Sequence, residues 1–153
     1  MTIVIALLQH GAVKAKLCTE IISELPRSFG RPQANAAYVR DIADRTVFGA
    51  SITSQVQGLI ALQVQFASTC KIWWLAVRPS AHRRGIGRAL VARSVEFART
   101  CNCTRMAVET MSPPDNSAEY AVARRFYAAM GFVPFVEFEP CPGDWMMWMV
   151  RDL

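Results

Sequence analysis

Residues 71–91, KIWWLAVRPSAHRRGIGRALV, constrain the fold more than any other part of this 153-residue chain. Residues 71–77 form a short apolar run rich in β-branched and aromatic side chains, which is typical of a buried strand. Pro79 ends that strand because it has no backbone N–H to give to a sheet. From residue 88 to residue 99, charged and apolar side chains alternate at helical spacing. The stretch therefore predicts a strand, a polar turn and an amphipathic helix.

The predicted turn has the chemistry that holds a phosphate group. Gly85 and Gly87 let the backbone approach closely with its N–H groups turned inwards, and the helix start adds unpaired donors and a positive dipole end. Three arginines supply the countercharge, namely Arg83, Arg84 and Arg88. A basic turn that only caps the helix and faces solvent is the alternative interpretation of these residues.

Two common phosphate-binding motifs do not fit this turn. The P-loop needs Lys and then Ser or Thr after its last glycine, but Arg88 and Ala89 follow Gly87 here. The dinucleotide fingerprint needs a third glycine where Leu90 stands.

The segment Arg84-Gly85-Ile86-Gly87-Arg88-Ala89 instead resembles the R/Q-x-x-G-x-G/A acetyl-CoA signature of the GCN5-related N-acetyltransferases. A second segment, residues 124–132, is similar to that family's helix that carries Phe-Tyr and ends in Gly-Phe. The two segments occur in the family's order, and the resemblance is specific over residues 71–134. Residues 25–30 and 108–113 are similar to one uncharacterised, bacterial-type branch of the family.

The resemblance implies a mixed α/β fold, with a twisted, mostly antiparallel sheet of about seven strands flanked by about four helices. It also implies acetyl-CoA as the cofactor: the turn would hold the pyrophosphate, the preceding strand would pair with the pantetheine arm, and a backbone N–H near Leu75 would polarise the thioester carbonyl. Tyr120 departs from the family pattern, since members often carry there an Asn that contacts the cofactor. The implied cofactor-binding residues are Leu75, Ala76, Val77, Arg83, Arg84, Gly85, Ile86, Gly87, Arg88, Ala89 and Tyr127.

Composition indicates one folded domain over residues 1–153. Hydrophobic residues make up 52% of the chain and the mean hydropathy is +0.19, which excludes disorder. The opening MTIVIALLQHG has no basic region and too short an apolar run for a signal peptide or a membrane span. The five cysteines show no zinc-ligand spacing. We therefore expect a cytoplasmic protein with reduced thiols and no membrane partner.

The net charge of +5 raises the question of nucleic-acid binding. Much of the excess lies at Arg83, Arg84, Arg88 and Arg93, where a polyanionic cofactor also needs it. No other run interleaves basic and aromatic residues, so no nucleic-acid partner is expected.

Periodicity and turn residues predict the other elements. Gly58 indicates a bulge in its strand or a close approach of another part of the chain. Asn116 is predicted to cap the last helix, in a capping box with Glu119, and Gly131 is predicted to end that helix. The predicted strands are 2–8, 46–52, 56–66, 105–109, 132–139 and 144–150, and the predicted helices are 12–25, 33–44 with Pro32 in its first turn, and 116–130.

Acetyl transfer to an amine needs an acid for the departing sulfur and a base for the ammonium. By resemblance and by chemistry, Tyr127 is the candidate acid, because a phenol donates a proton or hydrogen bond without being charged. Glu109 is the candidate base, predicted to end the strand beside the cofactor strand, although a carboxylate there could equally bind a helix cap or an arginine. His82 lies in the turn and is expected on the phosphate side or at the surface, and His10, near the end of the first strand, is an outside candidate for the base.

The acceptor groove of this fold is usually bounded by the first two helices and the last strands. Trp73 and Trp74 should point to opposite faces of their strand, so that only one faces the groove. Tentative substrate residues are Phe29, Tyr38, Trp73 and Glu109. Further aromatic and acidic candidates in those regions are Phe135, Trp145, Trp148, Glu20, Glu24, Asp41 and Glu137.

The sequence thus predicts an acetyl-CoA-dependent N-acetyltransferase acting on a primary amine of a small molecule. Acetylation of a protein N-terminus or lysine, and a non-catalytic acyl-CoA sensor on the same fold, stay open as alternatives. A homodimer is possible, and the apolar segment at residues 145–150 could form its interface or an internal strand.

Overall fold

The computed structural model describes all of residues 1–153, in seven strands and four α-helices. The helices are α1 (Gly11–Glu24), α2 (Pro32–Asp41), α3 (Ile86–Thr100) and α4 (Ala118–Ala129). The strands are β1 (Val4–Leu7), β2 (Thr46–Ile52), β3 (Gln55–Gln65), β4 (Thr69–Val77), β5 (Arg105–Met111), β6 (Val133–Phe138) and β7 (Met146–Asp152). Two 3-10 turns cover Ile42–Asp44 and Pro79–Ala81.

The strands form one sheet in the order β1-β2-β3-β4-β5-β7-β6. Antiparallel pairing joins β1 to β2, β2 to β3, β5 to β7 and β6 to β7, whereas β4 and β5 are parallel. The predicted mixed fold, with a mostly antiparallel sheet of seven strands and four helices, is confirmed. Within this sheet the chain divides into two compact units, residues 1–63 with 73–97 and residues 64–72 with 98–153. A single domain stays a prediction.

The first unit is built around an apolar core under α1 and the β2–β3 hairpin. Cys18 and Ile21 of α1 are fully buried together with Val47 of β2 and Leu59 of β3. The hairpin turns at Thr53 and Ser54, whose φ values of 47° and 68° give the left-handed backbone of a two-residue hairpin loop.

Gly58 fulfils both parts of its prediction. The register between β2 and β3 shifts beside it, so the strand is bulged there. A Cβ atom on Gly58 would lie 3.1 Å from the Ala76 carbonyl oxygen and 3.1 Å from methyl groups of Val77 and Ile86. A side chain at this position would therefore push against the end of β4 and the start of α3.

In the second unit, helix α4 contacts strand β5. Met147 and Met149 of β7 are buried, and β7 lies between β5 and β6. The apolar segment at residues 145–150 is thus mostly an internal strand, the second of the two alternatives. No helix of the structure combines the length and the apolar character that a membrane crossing requires.

Several predicted boundaries were wrong by a few residues. Helix α2 ends at Asp41 and continues as a 3-10 turn rather than as an α-helix to residue 44. Strand β5 continues to Met111, because Thr110 and Met111 still pair with β7. Strand β7 begins at Met146 and reaches Asp152, since Asp152 pairs with Arg105.

The cap of α4 is Ser117 and not Asn116. The Asp115 carboxylate accepts a hydrogen bond from the Ser117 N–H at 2.9 Å, which holds Ser117 in extended backbone geometry. The Ser117 hydroxyl then accepts from the Tyr120 N–H at 3.1 Å. A capping box of Asn116 with Glu119 is therefore not formed.

Candidate active site

The predicted phosphate-binding turn forms a helix N-terminus with free backbone donors. Gly85 has a φ of +81°, and its carbonyl accepts the first helical hydrogen bond, from the Ala89 N–H at 3.0 Å. Helix α3 begins at Ile86, two residues earlier than predicted, so Gly85 directly precedes the helix and Gly87 lies in its first turn. The N–H groups of Ile86, Gly87 and Arg88 precede that first bond and have no acceptor within the helix.

The arginines of this turn are available for a ligand. Arg83, Arg84 and Arg88 are exposed, and none forms an ion pair in the structure. Arg83 adopts a φ of 59°, which is uncommon for a residue with a side chain. His82 is also exposed, and its Nε2 atom lies 2.7 Å from the Val77 carbonyl oxygen. Its ring is therefore hydrogen-bonded to the end of β4. The turn thus presents free N–H groups and three positive charges, which is what a pyrophosphate requires.

Strand β4 has free pairing capacity beside this turn. Its parallel ladder with β5 covers only Thr69–Ile72 and ends at the pair Ile72–Val108. The rest of the strand, with Leu75 and Val77 half-buried and Ala76 buried, has no such pairing. Its backbone groups on that side can therefore bond to an extended ligand, as the resemblance implies.

Arg78, which the sequence did not single out, fixes the end of β4 to helix α1. Its Nε donates to the Val56 carbonyl at 2.9 Å, one Nη donates to Glu20 at 2.8 Å and the other to Glu24. The Arg78 side chain is only 12% exposed. Glu20 and Glu24, predicted as acids for the substrate amine, are instead engaged by this guanidinium, because their spacing of four residues places both on one helix face.

The predicted substrate aromatics come together in an aromatic cluster formed by Phe29, Tyr38, Trp73 and Trp74. The ring centroids are 6.2 Å apart for Phe29 and Tyr38, and 5.6 Å apart for Tyr38 and Trp73. Burial alternates as predicted, with Trp74 buried and Trp73 half-buried. Trp74 nevertheless also belongs to the cluster, 5.4 Å from Phe29 and 6.5 Å from Tyr38. Trp73 and Trp74 thus both lie beside Tyr38, and that only one of them faces the acceptor groove stays a prediction.

Tyr127 is held in the second unit by the C-terminal turn of α4. Gly131, with a φ of +88°, stops the helix as predicted, and the Phe132 N–H bonds to the Tyr127 carbonyl at 3.0 Å. The Tyr127 ring packs between Phe126 and Phe132, with centroids at 5.3 and 5.8 Å. Burial, with a smaller contribution from Tyr120, raises the pKa of Tyr127 above its usual range. The phenol is therefore protonated at neutral pH.

Glu109 lies within β5 and not at its end, contrary to the prediction. It is the first residue of β5 after the last pair with β4, and its side chain is exposed. Trp148 lies opposite it on β7, and the Lys71 ammonium lies 4.9 Å from the centre of the Trp148 ring. Because paired residues share a sheet face, Lys71, Glu109 and Trp148 stand on one face of the second unit.

The structure thus assembles two groups of predicted residues. The turn, the end of β4 and the aromatic cluster belong to the first unit, and Tyr127 and Glu109 to the second. No group of three or more His, Cys, Asp or Glu side chains could hold a metal ion.

Comparison with known proteins gives one sequence match and many structural ones. The sequence model of the acetyltransferase (GNAT) family matches residues 16–132. A search of curated proteins gives no significant match.

Three solved structures illustrate the structural similarity. A protein assigned to the GNAT family from Desulfovibrio desulfuricans is 20% identical, with a TM-score of 0.81 and 99% of both chains covered. An aminoglycoside 6'-acetyltransferase type Ii is 16% identical, with a TM-score of 0.77 and coverage of 97% and 96%. The PaiA N-acetyltransferase from Thermoplasma acidophilum, in complex with coenzyme A, is 14% identical, with a TM-score of 0.75 and both chains fully covered.

Proposed function

The chain belongs to the acetyltransferase (GNAT) family, and from that premise we propose that it transfers the acetyl group of acetyl-CoA to a primary amine of a small molecule. The observation that carries the proposal is the opening turn of α3, with free backbone N–H groups and three unpaired arginines. These donors fit the pyrophosphate of coenzyme A. A structurally similar protein, PaiA from Thermoplasma acidophilum, was solved with coenzyme A, which supports the same cofactor here.

The residues present fit the rest of the cofactor as well. The unpaired part of β4, from Leu75 to Val77, offers backbone groups to the amides of the pantetheine arm. Arg83, Arg84 and Arg88 supply charge for the phosphates, and Gly85, Ile86, Gly87 and Ala89 provide the backbone of the turn. When bound, acetyl-CoA supplies an activated acetyl group as a thioester.

Tyr127 and Glu109 are the proposed acid and base. The neutral amine nitrogen attacks the thioester carbonyl carbon, a C–N bond forms and the C–S bond breaks. Tyr127 gives a proton to the departing sulfur, a role that its raised pKa and protonated state support. Glu109, exposed on β5, takes the proton that the amine loses, directly or through water.

A small-molecule acceptor is supported by the aromatic cluster in the first unit. Phe29, Tyr38 and Trp73 are only partly buried, so their rings keep some surface that a compact ligand can contact. The structural similarity to an aminoglycoside 6'-acetyltransferase is in line with this class of acceptor, although it shows only the fold. The cytoplasmic location and the possible homodimer stay predictions.

The test is calorimetric titration of acetyl-CoA into the purified chain and into glycine variants. In a helix the Cα–Cβ bond tilts toward the N-terminus, so Gly87→Val places methyl groups in front of the free N–H donors. We expect G87V to lose at least about tenfold in acetyl-CoA affinity. Ala92→Val, at an exposed position of the same helix, is the matched control and should bind normally.

A second matched pair tests the backbone of the turn. Gly85 and Gly143 both have positive φ, +81° and +86°, with no atom within 4 Å of an added Cβ. Valine at either position costs about 1–2 kcal/mol of backbone strain. Only Gly85→Val should weaken acetyl-CoA binding, whereas Gly143→Val should not. An absence of binding heat for the parent protein would refute the proposed function. Binding of acetyl-CoA without release of the coenzyme A thiol in the presence of any tested amine would favour the sensor.

A further inference from the structure

Lys71 lies on the same sheet face of the second unit as Glu109 and Trp148. It stands opposite Ala107 of β5, and Glu109, two residues further along β5, stands opposite Trp148 of β7. Residues opposite each other on antiparallel strands have Cβ atoms about 4.5–5.5 Å apart. The Lys71 ammonium reaches across the face and lies 4.9 Å from the centre of the Trp148 ring. It is therefore held beside the Glu109 side chain.

Both charged groups are unpaired and open to solvent. Lys71 is half-buried and Glu109 is exposed, and neither side chain takes part in a hydrogen bond or an ion pair. The Lys71 Nζ atom is also not among the buried polar atoms that have no partner, so it keeps contact with solvent. The contact with the Trp148 ring positions the ammonium, while its four-carbon stem leaves it able to turn. A ligand can thus reach both groups.

Lys71 is one of three lysines in the chain. Lys14 is buried, and its ammonium donates to the Ala43 and Arg45 carbonyls at 3.3 and 2.7 Å. Lys16 is exposed on α1, in the first unit. Lys71 is therefore the lysine that lies beside the proposed base.

The proposed position of the cofactor directs its thioester to the same place. The pyrophosphate is proposed at the opening turn of α3, which follows the C-terminal end of β4. The pantetheine arm is proposed along the unpaired part of β4, which begins just after the last ladder pair, Ile72 with Val108. The thioester is at the end of the arm far from the pyrophosphate, so it points toward this pair. Lys71 precedes Ile72 in β4, and Glu109 follows Val108 in β5.

Resting on the proposed acetyltransferase function, we propose that the protein acetylates its own Lys71 when no acceptor is bound. The reaction needs a primary amine beside Glu109, and Lys71 holds one there. Its ammonium loses a proton to Glu109, directly or through water, and the neutral nitrogen attacks the thioester carbonyl carbon. A C–N bond forms and the C–S bond breaks; the nitrogen loses a second proton, and the sulfur leaves as a thiol with one. The products are acetylated Lys71, coenzyme A and one proton for the solvent.

The experiment incubates the full-length protein with saturating acetyl-CoA and no acceptor, and follows acetylation by intact mass and peptide mapping. We expect one acetyl group at Lys71, which appears at least about tenfold faster than at Lys16, because general-base catalysis acts only beside Glu109. Uncatalysed acetylation would favour the exposed Lys16 instead. Acetylation of Lys16 at the same rate or faster, or none at Lys71, would overturn the proposal.

Dilution tests whether each chain modifies itself. At saturating acetyl-CoA, the rate constant for Lys71 should be independent of the protein concentration. A rate constant that rises with protein concentration would mean transfer between two molecules, and would contradict self-acetylation.

Two pairs of variants assign the reaction to the named groups. Lys71→Arg keeps a positive charge over Trp148 and should remove the fast acetylation, whereas Lys16→Arg is the control and should keep it. Glu109→Gln should slow acetylation of Lys71 at least about tenfold without changing acetyl-CoA affinity. Glu96→Gln removes an exposed acid of α3 instead, and should keep the parent rate. A full rate in E109Q would contradict the proposal.

The outcomes separate this inference from the proposed function. Acetyl-CoA binding and acetylation of added amines without modification of Lys71 refute only the self-acetylation. An absence of acetyl-CoA binding refutes the proposed function and this inference with it.

Discussion

Replacing Tyr127 by phenylalanine separates the proposed acid role of this side chain from its place in the fold. The ring contacts to Phe126 and Phe132 are made by carbon atoms, which phenylalanine keeps. The hydrogen bond from Phe132 to residue 127 uses the backbone carbonyl and is also kept. Only the hydroxyl is lost, and it takes part in none of the side-chain hydrogen bonds of the structure.

The expected magnitudes differ widely between stability and turnover. Loss of a hydroxyl without a protein partner should change the free energy of unfolding by less than about 1 kcal/mol. Loss of a general acid typically costs about 100- to 10,000-fold in rate, which corresponds to about 3–5 kcal/mol in the barrier. We therefore expect Tyr127→Phe to fold normally and to lose kcat by at least 100-fold.

The assay measures thiol release at saturating acetyl-CoA and acceptor, with calorimetry for acetyl-CoA affinity and a melting curve for folding. The affinity for acetyl-CoA should stay within about threefold of the parent value, because the acid gives up its proton in the transition state and not in the bound ground state. Phe132→Leu is the control, because it loosens the packing around Tyr127 but keeps the hydroxyl. It should lower the melting temperature and leave most of the turnover. Unchanged turnover in Y127F would refute the acid assignment.

The pH dependence of stability gives an independent check on the burial of Tyr127. Its pKa is raised in the folded state, whereas in the unfolded chain the phenol ionises near pH 10. The stabilisation from this group is therefore complete below pH 10 and is lost as the pH rises toward the folded pKa. Urea unfolding between pH 9 and pH 11 should show a smaller loss of stability in Y127F than in the parent protein. An identical loss in both proteins would mean that the phenol is not buried in solution.

Two further predictions concern packing and thiol reactivity. Gly58→Ala should lower the melting temperature by several degrees and weaken acetyl-CoA binding, because the added Cβ lies 3.1 Å from the Ala76 carbonyl oxygen. Gly49→Ala is the control and should be tolerated, since the nearest atoms to its Cβ are 3.5 Å away or more. Equal melting temperatures for the two variants would contradict this prediction. In native protein at pH 8 a thiol reagent should modify the exposed Cys141 rapidly and Cys18 only on unfolding, because burial raises the pKa of Cys18 to about 12. Peptide mapping that finds Cys18 modified rapidly in the native protein would contradict this.

Local signals made most of the fold predictable. The strand at Thr46–Ile52 was predicted at its observed bounds, because alternation and the following turn are local features. Helix α1 ends at Glu24, before Pro26, and Gly131 stops α4 with positive φ, as their chemistry requires. The glycine turn after β4 likewise depends on residues within one short segment. Each of these features is decided by a few neighbouring residues.

The missed features depend on contacts between residues far apart in sequence. Arg78 binds Glu20 and Glu24, which precede it by 58 and 54 residues, so no local pattern indicates the network. The length of the β4–β5 ladder depends on where two strands stop pairing, which periodicity does not encode. The unpaired donors of Arg45 and Trp74 are visible only once their burial is known. Sequence reasoning therefore located the turn, which is a local feature, but not these long-range contacts.

The Phe-Tyr and Gly-Phe pattern has a structural explanation that leaves the hydroxyl unexplained. Gly131 supplies the left-handed stop of α4, and the Phe132 N–H and ring both contact residue 127. Phenylalanine at position 127 would supply the same ring contacts at this helix end. The fold thus accounts for the glycine and the rings but not for the oxygen. The hydroxyl is the group that the proposed donation of a proton to a ligand would use.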